Sequence, residues 1–259
     1  KLTCIPFNME KYMSFSLGQL KFIDSLQFMN SSLEKLAANL PKDKFKITMQ
    51  QLEKIASKLP KPKFEIAVRQ LKDNDALLRK QVFQYEYLDS WERFEEKTLP
   101  PKKEFYSNLT QSGITDEDYR HAQAVWELFD VQNLGEYNDF YLKTDTFILA
   151  DIFEAFRKTS MQYYKLDPVH YYSAPGMSWD AMLKVTGVEI ELLTDIDQHL
   201  FIEQGIRGGL SMVSKRYAKA NNPQCSDYDA SKPNSYIMYL DANNLYGWAM
   251  SQPLPIGDF

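Results

Sequence analysis

The sequence predicts a helix-rich α/β (α+β) fold. Three observations lead there. Residues 136–164 carry the longest helical pattern, with Leu142, Phe147, Ile148, Ile152, Phe153 and Phe156 recurring largely at three- and four-residue steps. Two short β-rich runs, 20–29 (LKFIDSLQFM) and 235–247 (SYIMYLDANNLYG), lie towards opposite ends of the chain. Hydrophobic residues make up 44% of the 259 and charged residues 25%, the balance of a globular chain able to bury a core.

Taken in order, 20–29 reads as a buried strand running into a turn at Asp24-Ser25. Ser31 and Ser32 then offer an N-cap ahead of LEKLAANL. An internal repeat follows: LEKLAANLPKDKFKITMQQ (33–51) and LEKIASKLPKPKFEIAVRQ (52–70) agree at 11 of 19 positions. Two units fall short of a solenoid, so the repeat reads as a local insertion. Its lysines suggest a solvated surface excursion. The Leu-Pro steps at 40–41 and 59–60 end each helical stretch.

Residues 81–112 are loop-like, broken at Pro100-Pro101. Thr115 and the acids 116–118 start a helix through Phe129, the acids suiting the helix dipole. HYYSAPGMSWDAM (170–182) reads as a Pro-Gly turn into a short helix. Residues 205–223 combine a glycine turn, a strand-like stretch and a polar tail, and 224–234 are a loop.

Composition excludes several classes. Cys4 and Cys225 make neither a disulfide framework nor a metal-ligand spacing, which suits a reducing, intracellular setting. No apolar run reaches the ~18 residues of a membrane span, and the N-terminus lacks a signal-peptide core. The missing initiator Met suggests a chain cut from something longer. The formal charge of -5 argues against a free-standing DNA binder, since such domains neutralise phosphates. It leaves room for acidic and basic sites on one chain.

Three segments carry candidate chemistry. In Tyr236–Gly247 a strand delivers Asp241 to its end, where a carboxylate can hold Mg²⁺, and the chain then turns into a helix bearing Tyr246. On spacing alone an Asp turn after a strand is more often structural. Tyr141 and Asp145, four apart, share one helix face, so a phenol beside a carboxylate can orient a metal-bound water. Alone, that spacing too is usually structural. Between them, Arg207, Gly208 and Gly209 precede Lys215, Arg216, Tyr217 and Lys219, with no acid from 206 to 222. Paired glycines let backbone approach a ligand, and the cations with an aromatic suit a single strand. A hairpin with surface lysines is the plain alternative. Asp24 reads as structural, and His121, His170 and His199 form no cluster.

The whole strings say more. YLDANNLYGWAMSQPLPIGDF closely resembles the first palm motif of family B DNA polymerases, in the form found in protein-primed enzymes of viruses, organellar plasmids and Polinton/Maverick transposons. YLKTDTFILADIFEAF resembles the third exonuclease motif of the same family. Ile206-Arg207-Gly208-Gly209 resembles its Y-x-G-G element, with Ile206 where the family has Tyr.

The resemblance implies a metal ligand and catalytic role for Asp241 and Asp145, a water-positioning role for Tyr141, and a steric gate at Tyr246. Asn244, Leu245 and Tyr246 would shape the nucleotide pocket, and Arg207, Gly208, Gly209, Lys215 and Arg216 would meet DNA. It implies a ribonuclease-H-like 3′–5′ exonuclease domain over 1–204, incomplete and holding the 33–70 duplication. A linker over 205–234 and the first palm strands over 235–259 would follow.

The implied cofactor is Mg²⁺ in a two-metal site. The partners would be template and primer DNA, dNTPs and a terminal protein as primer, with no membrane. The setting would be a nucleus or viral replication site. The first two exonuclease motifs, the second palm aspartate and the fingers lysine are not found in the sequence, so activity of this chain alone is not expected. The competing expectation is a non-enzymatic nucleic-acid-binding remnant of such a polymerase.

Overall fold

A computed structural model describes residues 2–6, 12–73, 77–206 and 212–257. The chain divides into two compact units, 1–186 and 187–259.

The first unit opens with a three-stranded antiparallel sheet, β1 (Leu2–Pro6), β2 (Tyr12–Leu17) and β3 (Leu20–Ile23), in that order. A two-residue connection joins β2 to β3, with Leu17 opposite Leu20 and Gly18 at φ 61, where a side chain would be strained. Cys4, Phe15 and Phe22 lie in one cross-strand row, and the two rings stack at 4.5 Å. The predicted strand at 20–29 thus exists over Leu20–Ile23, but Leu20 and Phe22 are exposed rather than buried. Among the described residues β3 has a partner on one side only, and Cys4, Phe15 and Phe22 are exposed. The strand ends where Asp24 caps a 3-10 turn, accepting the Leu26 N–H at 3.0 Å.

The helices follow their sequence signals. Ser32 caps α1 (Leu33–Ala38) through the Lys35 N–H. Then come α2 (Lys46–Ala56) and α3 (Lys61–Asp73), each entered after a Leu-Pro step. Thr115 caps α4 (Asp116–Leu128), whose first turn holds three acids. Asn133 caps α5 (Leu134–Tyr163), the longest element. In α6 (Ala174–Thr186), Pro175 and Gly176 belong to the first helical turn instead of preceding it. Proline fits there because its missing N–H would have had no partner.

The duplicated segment is part of the core, not a solvated excursion. Leu52, Ala56 and Ala67 have no exposed surface, nor has Leu71 just after the segment, and Phe45 has 3%. They pack with Val125, Phe129, Tyr137, Phe140, Ile148 and Ile152 of α4, α5 and the turn between them. Equivalent positions of the two copies are buried alike: Ala37 with Ala56, and Thr48 with Ala67. The lysines sit on the opposite helix faces, so composition alone suggested a surface while the apolar stripe made a core. Each buried leucine contributes about 1.5–3 kcal/mol.

Asp151 and Thr48 are among the polar residues buried with that core. Asp151 of α5 is 3% exposed and reaches the start of α2, accepting the N–H groups of Ile47 (2.9 Å) and Thr48 (2.8 Å) and the Thr48 hydroxyl (2.8 Å). α2 has no side-chain cap of its own, so α5 supplies one. At the far end of α5, Phe28 packs against Phe153 and Phe156. Arg157 grips Asp167, holding that carboxyl below the usual range.

The second unit contains α7 (Ile196–Gly205), capped by Asp195, and α8 (Leu245–Met250). Its loop from Lys219 to Ser235 is organised by Asn221, whose side-chain amide bonds the Asp229 carbonyl and N–H and whose backbone pairs with Ser235. The run Tyr236–Leu240, predicted to be a strand, is irregular, and all five residues are exposed. A strand is defined by its ladder, and among the described residues only the Asn221–Ser235 bridge touches this run's start. The strand-like stretch predicted within 205–223 is likewise irregular over 212–220, and residues 207–211 lie outside the described residues.

Candidate functional site

Tyr141 and Asp145 stand one turn apart on α5 and face a segment with neither helix nor strand, residues 80–84. Sixty-four residues upstream of Asp145, the Gln81 backbone N–H donates to Asp145 Oδ1 at 3.1 Å. Phe83 stacks on Tyr141 at 4.3 Å, and the Tyr85 and Tyr141 hydroxyls are hydrogen-bonded. The Tyr137 hydroxyl fixes the same segment by donating to the Val82 carbonyl at 2.8 Å. α5 thus presents three groups, one per turn, to a single extended stretch.

Burial dominates the electrostatics of the pair. Burial pushes the Asp145 carboxyl up; the Gln81 N–H, the Lys80 charge and the Tyr141 hydroxyl oppose it without cancelling it. Burial also pushes the Tyr141 phenol up, with Tyr85 and Asp145 adding to the effect. Tyr141 is therefore a neutral hydrogen-bond donor at any physiological pH. A cleft of about 620 Å³ borders the segment, more apolar than polar in its lining, with Val82, Phe83, Phe105 and Leu109 alongside Arg79 and Asp118.

Two buried polar side chains nearby have no hydrogen-bond partner among the described residues, the Gln84 amide and the Thr144 hydroxyl.

Lys80, Gln81, Phe83, Tyr85 and His121 were not found from sequence as members of this site. No local periodicity links 80–85 to 141–145, because the two meet only through tertiary packing. His121 touches the segment through Gln81, its Nε2 lying 3.0 Å from Gln81 Oε1. Burial first, then the Arg79 guanidinium, pushes His121 down to about 4.

The second candidate site is open. Asp241 is exposed on an irregular stretch, and Tyr246 is 84% exposed in the first turn of α8. Asn244, immediately before the helix, takes a left-handed conformation at φ 54. Its side chain folds over Gly247: a Cβ there would lie 2.4 Å from Asn244 Oδ1. Leu245 begins α8.

Arg207, Gly208 and Gly209 lie outside the described residues. Lys215, Arg216 and Tyr217 are exposed, and the two cations form no ion pair among the described residues. Lys219 differs from the sequence expectation: it pairs with Asp227, an acid from beyond the window, which raises its pKa.

No helix among the described residues is long and apolar enough to cross a membrane. Among the described residues no group of three or more His, Cys, Asp or Glu could hold a metal ion. No protein-family model, no curated protein and no solved structure matches the chain.

Proposed function

We propose that this chain is an internal piece of a protein-primed family B DNA polymerase. Asp145 and Tyr141 would belong to its 3′–5′ exonuclease site, and Asp241 with Tyr246 to its polymerase site. The exonuclease part would be ribonuclease-H-like and the end of the chain would enter the palm.

The observation that carries the reading is the Tyr141–Asp145 pair. A neutral phenol and a carboxyl stand on one helix face, the carboxyl half-buried and oriented by the backbone N–H of Gln81, a residue that also lines the neighbouring cleft. A phenol that stays protonated can donate to a water or a phosphate oxygen without competing for a cation. The sequence string 236–247 and its order after this pair support the polymerase half.

The described residues do not by themselves build a Mg²⁺ site. Asp145 and Asp241 each offer one carboxylate, whereas two-metal phosphoryl chemistry needs several. Under this reading the remaining ligands come from further residues of the same protein. The chain alone then extends no primer.

The test is to express the longest open frame containing this chain. Its Mg²⁺-dependent primer extension is compared with Asp241→Ala, and its degradation of single-stranded DNA with Asp145→Ala. The reading expects each variant to lose its own activity and keep the other. A long protein inert in both assays, or one indifferent to both substitutions, overturns it. Single-strand binding at Lys215, Arg216 and Tyr217 then becomes the function to measure.

A further inference from the structure

The Gln81 peptide orients Asp145, yet Gln81 lies in a stretch with no helix or strand to hold it. Its own side chain does the holding. That side chain belongs to a residue only 4% exposed. Its Nε2 donates back to the Arg79 carbonyl at 2.8 Å, and its Oε1 sits 3.0 Å from His121 Nε2 on α4. An amide oxygen can only accept, so the His121 ring must carry its proton on Nε2 for this bond. One turn earlier on the same helix, Asp118 pairs with Arg79. The segment 79–81 is therefore stapled to α4 twice, and through Gln81 N–H to α5 once.

We propose that Gln81 is a positioning residue for Asp145, with His121 locking the Gln81 amide so that its backbone N–H stays aimed at Asp145 Oδ1. The proposal rests on the exonuclease reading for the importance of Asp145. The lock itself is a statement about geometry.

An ordinary core histidine would pack without specifying a partner's direction. Here three features coincide. The acceptor is an amide whose other end is also bonded, the peptide it carries has no ladder, and that peptide's N–H meets the candidate carboxylate. Loss of either side-chain bond frees the peptide to rotate, while the backbone N–H remains chemically present.

Amide hydrogen exchange on this chain, without DNA or metal, reads the lock directly. The Thr48 N–H is the control, since it too is bonded to an α5 aspartate, at 2.8 Å, but has no link to His121. In His121→Leu and in Gln81→Met, exchange at the Gln81 N–H is expected to quicken about tenfold, the loss of one net hydrogen bond. His121→Gln, which restores a donor, is expected to return it to near the parent rate. Thr48 exchange should stay unchanged throughout. An unaltered Gln81 rate in both variants overturns the lock, and so does equal acceleration at Thr48, which marks general loosening. Gln81→Met carries the test where His121→Leu does not fold.

In the long protein, His121→Leu should lower the degradation rate at saturating DNA about tenfold, with the half-saturating concentration unchanged. An unchanged rate overturns the positioning role. If instead Asp145→Ala still degrades DNA, the exonuclease reading fails by itself, whatever the exchange rates show.

Discussion

Asp151 accepts two hydrogen bonds from Thr48, one from its N–H and one from its hydroxyl, each 2.8 Å long and spanning 103 residues of chain. A third comes from the Ile47 N–H. The carboxylate of one helix thus caps the start of another inside the core. Its negative charge also lies where the α2 dipole is positive. Removing it strands two backbone N–H groups and a hydroxyl in a dry site. Asp151→Ala is expected to destabilise the fold by about 3–5 kcal/mol, and Thr48→Val by about 1 kcal/mol. Urea unfolding measures both, and a loss below about 0.5 kcal/mol in Asp151→Ala would remove the cap from the account.

The opposite expectation holds for Asp145. Burial raises its carboxyl above the unfolded value, so ionisation costs the folded state something at neutral pH. The sign follows from linkage. A raised carboxyl is at its most favourable below the unfolded pKa, and that advantage is lost as pH rises through the folded pKa. Asn keeps the oxygen that accepts the Gln81 N–H but carries no charge. Asp145→Asn should therefore leave the urea midpoint at pH 7 equal or higher, while lowering DNA degradation by the long protein on the order of 10²-fold or more. A clear fall in the midpoint would mark Asp145 as a structural residue.

The duplication gives a sharper test of architecture. Leu52 opens the second copy and Leu71 follows its last residue, nineteen positions on, and both are fully buried. Leu52→Ala and Leu71→Ala should each cost about 2–5 kcal/mol, while the exposed Lys72→Ala should cost under about 0.5 kcal/mol. Deleting 52–70 should abolish cooperative unfolding, because it removes Leu52, Ala56 and Ala67 from the shared core at once. Near-parent stability in the deletion would restore the surface-insertion reading.

These residues show what was legible in advance. The helix signals at Ser32, Thr115 and the long apolar stripe of 136–164 are local, and the helices start close to where they point. Leu142, counted in that stripe, is 57% exposed, while the polar Thr144 and Asp151 are buried. Hydropathy identified the helix but misjudged part of its inner face. The hairpin at Gly18 carried a turn signal beside the alternating Phe15 and Leu17, and it was missed. The pairing of Gln81 with Asp145 left no local trace, since neither residue's neighbours encode a partner 64 positions away. Tyr236–Leu240 shows the converse: strand propensity was plain, but propensity does not supply a ladder.

His121 supplies a pH dependence whose direction is fixed. Burial holds its folded pKa at about 4, against an unfolded value near 6.5. The folded state therefore binds fewer protons than the unfolded state between those two values. Stability is unaffected above pH 6.5, declines as the pH falls through the interval, and levels off below 4 as far as this group is concerned. The full loss is about 2–3 kcal/mol, allowing for the ring's partial exposure. The groups facing it are Arg79, which lowers its pKa, and Asp118, which raises it. Carboxyls held low by their partners, Asp167 among them, also lose stability in acid, so the parent alone cannot isolate the histidine. His121→Gln keeps a donor for Gln81 Oε1 and does not titrate. Urea midpoints at pH 7 and pH 4.5 should fall further in the parent than in His121→Gln. Parallel falls in the two proteins would mean that His121 is protonated in the fold, and its hydrogen bond to Gln81 would then have to tolerate an imidazolium.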